Sequence, residues 1–273
     1  MHEIVPAAAQ LTTRLAQSPP ALSVYLPAGF PAPGLDVETL QMLAAAGADV
    51  LEIGLPHPHA PLDGPAITEA NRRSLVEHGT RTEHVFTTVR RTAETTQATV
   101  LVMTYWEPVR AYEPRRFALE LAAAGAAGAL IPDLPPTEAA AWRAAVQEAG
   151  LHNLQFTPRQ ATDSELAQLT STATGWLYAP AVTGRTGYQG QLDIAALKTF
   201  TRRLERLSDV PVVTGVGVST PELAEQVAPH VAGVVVGSPI VRCLLRRPDR
   251  TGAAAAADTA ALFADSIRTP ALT

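Results

Sequence analysis

The sequence predicts an α/β protein, a (β/α)8 barrel of the TIM type, and three observations carry that expectation. Eight short apolar runs recur along the chain, stretches of helical spacing separate them, and the length of 273 residues suits a barrel of this kind. The runs cover residues 22–26, 50–53, 99–103, 128–131, 154–157, 175–178, 210–213 and 233–236. Most are continuously apolar, the pattern of a strand covered on both faces in a parallel sheet. Between them, residues 38–46, 115–124, 137–148 and 221–227 have helical spacing and few breakers. Such alternation implies parallel strands joined by right-handed crossovers. A doubly wound open sheet would carry a G-x-G-x-x-G turn after the first strand; Pro27-Ala28-Gly29-Phe30 stands there, so the barrel is preferred.

The ends of the chain fit the same plan. A first helix is expected at about residues 5–17 and a final one at about 253–268, where Leu262, Phe263 and Ile267 give an Ala-rich segment its apolar face. Thr269 to Thr273 read as a frayed end. No linker or shift in composition divides the chain, so residues 1–273 are expected to form a single domain. A net charge of −5 gives no reason to expect a nucleic-acid or anionic-membrane partner. The single cysteine, Cys243, precludes an intramolecular disulfide and fits a reducing compartment. The amino terminus lacks a basic segment followed by an apolar core, and no apolar stretch is long enough to span a bilayer; a cytoplasmic protein is expected.

The chemistry concentrates between residues 49 and 65, DVLEIGLPHPHAPLDGP. Glu52 interrupts an apolar strand just before Gly54 and Pro56 end it. An ionised carboxylate in such a strand is costly unless it is paired or reaches a polar cavity, and the usual result is a raised pKa suited to acid–base work near neutrality. An arginine partner or a helix cap is the bland alternative for Glu52. Asp63, in Asp-Gly-Pro, is equally readable as a turn or helix-start residue or as a second functional acid. His57 and His59 lack a third ligand nearby, and Pro58 sets their directions apart, so no metal site is expected. Late in the chain, residues 214–220 (TGVGVST) and 236–239 (VGSP) each follow an apolar run and precede a helix start. Glycines there allow backbone N–H groups to approach an anion, and in β/α barrels the loops after the last two strands are the frequent phosphate position. A third glycine-rich stretch, residues 183–190, reads as a mobile polar loop.

These segments, taken in order, carry a resemblance. YLPAGFP from Tyr25, LEIGLP and LDGP, MTYWEPV from Met103, IPDLP from Ile131, TGVGVSTPE from Thr214 and GVVVGSPIV from Gly233 together resemble the tryptophan synthase alpha subunit family over nearly the whole chain. The resemblance implies a β/α barrel that cleaves indole-3-glycerol phosphate into indole and glyceraldehyde 3-phosphate without metal or organic cofactor, beside a pyridoxal-phosphate-dependent beta subunit that receives the indole. It assigns Glu52 as the acid–base group and Asp63 as the carboxylate that holds the indole N–H. Gly184, Gly217, Gly237 and Ser238 match phosphate-loop positions. Tyr25, Tyr105, Tyr178 and Thr186 match positions around the substrate, against the plainer reading of the tyrosines as barrel packing.

The chain departs from the family pattern at three places. Residues 57–61 (HPHAP) replace a Ser-Asp-Pro segment in a loop that, in the family, contacts the beta subunit. Val182 stands where arginine is common, in a loop that closes over substrate and whose threonine orients a catalytic acid. Glu107 replaces an asparagine and adds negative charge at the mouth of the third strand. Asp133, in IPDLP, is expected to cap the helix that follows it or to contact the partner or the site. The enzyme is expected to work either as an alpha subunit or as a stand-alone indole-3-glycerol-phosphate lyase that releases free indole, and a non-catalytic phosphate-binding or regulatory homologue is the alternative to both.

Overall fold

The computed structural model describes residues 6–188 and 190–268. Its strands are β1 (Ala21–Pro27), β2 (Val50–Gly54), β3 (Thr99–Met103), β4 (Gly128–Leu130), β5 (His152–Asn153), β6 (Gln155–Phe156), β7 (Leu177–Ala179), β8 (Val212–Thr214) and β9 (Gly233–Val236). All pairings are parallel, and the ladder runs β5-β4-β3-β2-β1-β9-β8-β7-β6. The two ends of that ladder, β5 and β6, are successive pieces of one strand interrupted at Leu154. The nine segments therefore fill the eight positions of a (β/α)8 barrel, as the sequence predicts.

The strand periodicity builds two layers. Along β1 every residue is buried, but Leu22, Val24 and Leu26 face the surrounding helices while Ala21 joins the barrel interior. Successive side chains point to opposite faces, which turns Ser23 and Tyr25 inward. The interior is filled by Val50, Leu101, Leu154, Trp176, Val213 and Val235. Leu11 and Leu15 of the first helix, Ala7–Leu15, belong to the same cluster, so this helix closes the end where the strands begin.

Asp49, one residue ahead of β2, ties that end together. Its carboxylate accepts from Arg14 Nε at 2.8 Å, from the backbone N–H of Leu22 at 2.9 Å and from Arg268 Nη2 at 3.2 Å. His152, at the start of β5, places Nε2 2.8 Å from the Ala8 carbonyl oxygen.

Three details differ from expectation. The fifth strand begins ahead of the predicted run 154–157 and is split at Leu154: β5 (His152–Asn153) pairs with β4, and β6 (Gln155–Phe156), within the run, pairs with β7. The sixth starts at Leu177, since Gly175 is a turn residue with φ of 78°. In the final helix, Arg250–Arg268, the buried stripe runs through Ala253, Ala256, Ala260, Phe263, Ala264 and Ile267. Leu262 falls outside this i, i+3/i+4 spacing and is 59% exposed, so it is not part of the apolar face. Residues 269–273 and residue 5 lie outside the described residues.

Asp49→Ala removes two guanidinium partners and a backbone acceptor at once. We expect it to cost about 2 kcal/mol in urea unfolding, the range for hydrogen bonds to charged groups, while ligand binding at the opposite end of the barrel is unchanged. A loss below a few tenths of a kcal/mol would reduce the cluster to a surface ion pair.

Candidate active site at the carboxyl ends of the strands

Glu52 enters the site through strand register. It lies beside Tyr25 on β1 and Leu101 on β3, faces the interior and is 3% exposed. No arginine meets it. Its one hydrogen bond among the described residues is from the Ser23 hydroxyl, which donates to Oε1 at 2.9 Å. Burial pushes the carboxyl up to about 7, against the opposing pull of that hydroxyl.

Asp63 arrives from the loop after β2 and is 4% exposed. It does not cap the helix Pro65–Arg72 that follows, whose N-cap is Gly64. Instead the Tyr105 hydroxyl donates to Oδ1 at 2.9 Å and Asn71 Nδ2 donates to Oδ2 at 2.8 Å. Burial raises this carboxyl to about 6, with both hydrogen bonds acting in the other direction. Two carboxyls that are ordinarily ionised by pH 5 are thus brought near neutrality, chiefly by removal of water. The phenols respond in kind. Burial raises Tyr25, Tyr105 and Tyr178, and the neighbouring carboxylates raise them further, Asp63 foremost for Tyr25 and Tyr105 and Glu52 for Tyr178.

One cavity, with about 730 Å³ of empty space counting its open mouth, gathers these groups. Glu52, Asp63, Tyr25, Tyr178, Thr186, Gly217, Gly237 and Ser238 all line it. Tyr105 stands behind Asp63 and acts on the cavity through that carboxylate. Gly184 is exposed and outside the lining; Gly187, three residues on, lines the cavity in the same loop. Gly217 has φ of 102°, a conformation that a side chain disfavours. Gly237 and Ser238 begin the helix Ser238–Arg246, whose N-terminal dipole favours an anion. Ser238 is 5% exposed, and its hydroxyl makes no hydrogen bond with a described residue.

The loop after β7 bridges to the loop after β2. The Thr186 N–H donates to the Leu62 carbonyl at 2.9 Å, and Thr186 Oγ1 accepts from the Gly64 N–H at 2.8 Å. A Cβ at Gly64 would collide with the Thr186 carbonyl. Thr186 therefore grips the backbone next to Asp63, not the carboxylate itself. At the loop's root, Arg159 Nη1 donates to the Ala181 carbonyl at 2.7 Å, while Val182 packs beside Gly217.

Several site members escaped sequence reading. Ser23 was signalled only as a polar residue at an inward position of an otherwise apolar strand. Asn71 shares the buried stripe of its helix with Ile67 and Ala70. Phe156 lines the cavity and stacks on Tyr178, centroids 5.8 Å apart at 22°. Asp133 departs from expectation: its Oδ1 accepts from the Trp106 N–H at 2.8 Å, so it caps the helix after β3 and not the one after itself. His57 Nε2 lies 2.7 Å from Glu107 Oε2, joining two of the three places at which the chain departs from the family pattern.

A (β/α)8 barrel with two buried, near-neutral carboxyls and glycine loops on one cavity defines a class: the acid–base enzymes built on the strand ends of this fold. The comparisons with known proteins make the class specific. A family model described as the tryptophan synthase alpha chain matches residues 11–267. The tryptophan synthase alpha chain of Streptomyces coelicolor is 41% identical over 229 residues, 84% of each chain, and that of Acidothermus cellulolyticus is 39% identical over 251 residues, 92% of this chain and 93% of the other. Among solved structures, a chain of Mycobacterium tuberculosis tryptophan synthase superposes with a TM-score of 0.87 at 31% identity, covering 98% of this chain and all of that one. The chain belongs to the tryptophan synthase alpha chain family.

Burial of Glu52 has a measurable consequence for stability. A carboxyl whose pKa is raised on folding contributes stability that is complete below its unfolded value and is lost as pH rises through about 7. Glu52→Gln cannot ionise. It should exceed the parent by roughly 3 kcal/mol in urea unfolding at pH 8 and lie close to it at pH 4; equal stabilities at pH 8 would mean that Glu52 ionises as freely as an exposed carboxyl.

Proposed function

We propose that this protein cleaves indole-3-glycerol phosphate to indole and glyceraldehyde 3-phosphate as the alpha subunit of a tryptophan synthase. The observation that carries the proposal is the placement of Glu52, from strand β2, and Asp63, from the loop after it, on one cavity with Gly217, Gly237 and Ser238. Glu52 enters protonated and transfers its proton to indole C3. Asp63 accepts the indole N–H and stabilises the positive charge that develops on the ring. The Glu52 carboxylate then takes the proton of the hydroxyl on the adjacent glycerol carbon. As that proton leaves, the bond from this carbon to indole C3 breaks, its electron pair restores the aromatic ring, and the aldehyde forms. Glu52 ends as it began, so the cycle requires no metal or organic cofactor.

The glycine loops and the helix beginning at Ser238 hold the phosphate, and Tyr25, Tyr178 and Phe156 enclose the indole. Tyr105 and Asn71 fix Asp63 from behind. Thr186 completes the enclosure by tying its loop to the backbone on either side of Asp63. The partner is a pyridoxal-phosphate-dependent beta subunit, which takes up the indole. Its contact loop here presents His57 paired with Glu107. No helix among the described residues is long and apolar enough to cross a membrane, and we place the protein in the cytoplasm, where it serves tryptophan biosynthesis.

Indole release from indole-3-glycerol phosphate, followed with the purified protein alone and then with a beta subunit, tests the reading. Turnover that rises with the beta subunit is expected, and none in either case would leave a non-catalytic homologue. Glu52→Gln should abolish turnover with phosphate-dependent binding retained. Asp63→Asn should depress kcat on the order of 10²-fold or more, the cost of a positioned electrostatic group; loss of thermal stability alone would return Asp63 to a turn residue.

The pH profile follows from the two protonation states. Asp63 works ionised, so activity falls as pH drops through about 6. Glu52 starts protonated, so activity falls as pH rises through about 7. A kcat/KM profile flat from about pH 5 to about pH 9 would remove both residues from these roles.

A further inference from the structure

We propose that Ser23 is a positioning residue for the acid–base carboxyl: its hydroxyl fixes Oε1 of Glu52 against the barrel wall and leaves Oε2 as the oxygen that exchanges protons with the substrate. The inference rests on the role assigned to Glu52 above. Ser23 is 2% exposed and donates to Oε1 at 2.9 Å across the β1–β2 pairing. Oε2 accepts no hydrogen bond from the described residues, and Glu52 lines the cavity.

The surroundings leave Ser23 alone in this task. The neighbours of Glu52 in the sheet are Tyr25 on β1 and Leu101 on β3. The titratable groups that share the cavity lining with it are Tyr25, Asp63, Tyr178 and Tyr188, and no lysine, arginine or histidine is among the lining residues. The Tyr178 hydroxyl accepts from the Val216 N–H at 3.1 Å and does not donate to Glu52, and Asp63 is held by Tyr105 and Asn71. Among the described residues Ser23 is thus the one hydrogen-bond donor to Glu52, and it stabilises the carboxylate form, the form that must take up the hydroxyl proton in the second half of the reaction. It also restricts rotation of the carboxyl, so that the oxygen that gives up the first proton is the one placed to receive the second.

The experiment compares the unsubstituted protein with Ser23→Ala and Ser23→Thr, the latter keeping a hydroxyl. For Ser23→Ala we expect kcat lower on the order of tenfold with KM little changed. The alkaline limb of its profile should move up by about one pH unit, the shift that accompanies loss of one hydrogen bond to a charged group. Ser23→Thr should bring both back toward the parent. A Ser23→Ala protein that melts like the parent and keeps its limb and kcat overturns the proposal, because a purely structural serine would not shift a titration. The carboxyl carbon of Glu52, observed by ¹³C NMR in labelled protein, titrates whether or not the protein turns over. If the parent releases no indole, the lyase reading fails by itself. An NMR pKa that rises in Ser23→Ala then still supports the control of Glu52 by Ser23, and an unchanged one overturns it.

Discussion

Desolvation of Glu52 is the constraint on which the rest of this structure depends. The side chain stands on a strand buried on both faces, where an isolated charge is costly, and the barrel offers it one hydroxyl and a cavity in place of a counter-ion. This is why its proton is held to near neutrality. A guanidinium beside it would have stabilised the carboxylate and removed the acid. Asp63 is given the opposite treatment within the same enclosure, with two donors on its two oxygens. The result is a pair of carboxyls both raised toward neutrality chiefly by burial, Asp63 to about 6 and Glu52 to about 7.

The surrounding fold serves that enclosure. The first helix fills the end of the barrel where the strands begin, so the interior is dry from below. Helices cover the outer faces of the strands, and the loops after β2 and β7 meet through Thr186 over the other end. Each of these removes water from the same pair of carboxyls, so packing far from the cavity bears on its acidity.

Much of this was legible in the sequence, for identifiable reasons. Strand content and order follow from apolar runs that few alternatives could accommodate, and Glu52 announces itself as a charge where none should be. Asp63 was ambiguous because Asp-Gly-Pro serves turns as well as sites; only the positions of Tyr105 and Asn71, 42 and 8 residues away in sequence, decide it. The division of the fifth strand at Leu154 was hidden, since its first piece, His152-Asn153, is polar and precedes the predicted run, and no residue pattern records which neighbour each piece pairs with. Ser23 and Asn71 were missed for a related reason: a small polar residue in a buried stripe has no partner until the fold supplies one. Asp133 shows the same limit, as its helix comes earlier in the chain than the aspartate that caps it.

The meeting of Arg14 and Arg268 on Asp49 has a bearing on synthesis. One side chain joins a residue near the beginning of the barrel to a residue some 250 positions later, so the knot cannot tighten on a nascent chain until residue 268 has left the ribosome. Through most of translation the interior would be corked by a helix whose anchor is only half made. Contacts of such long sequence separation form late, and the growing chain spends that interval with its strand edges unpaired. Closure of the barrel waits in the same way, since β1 finds its second neighbour only in β9.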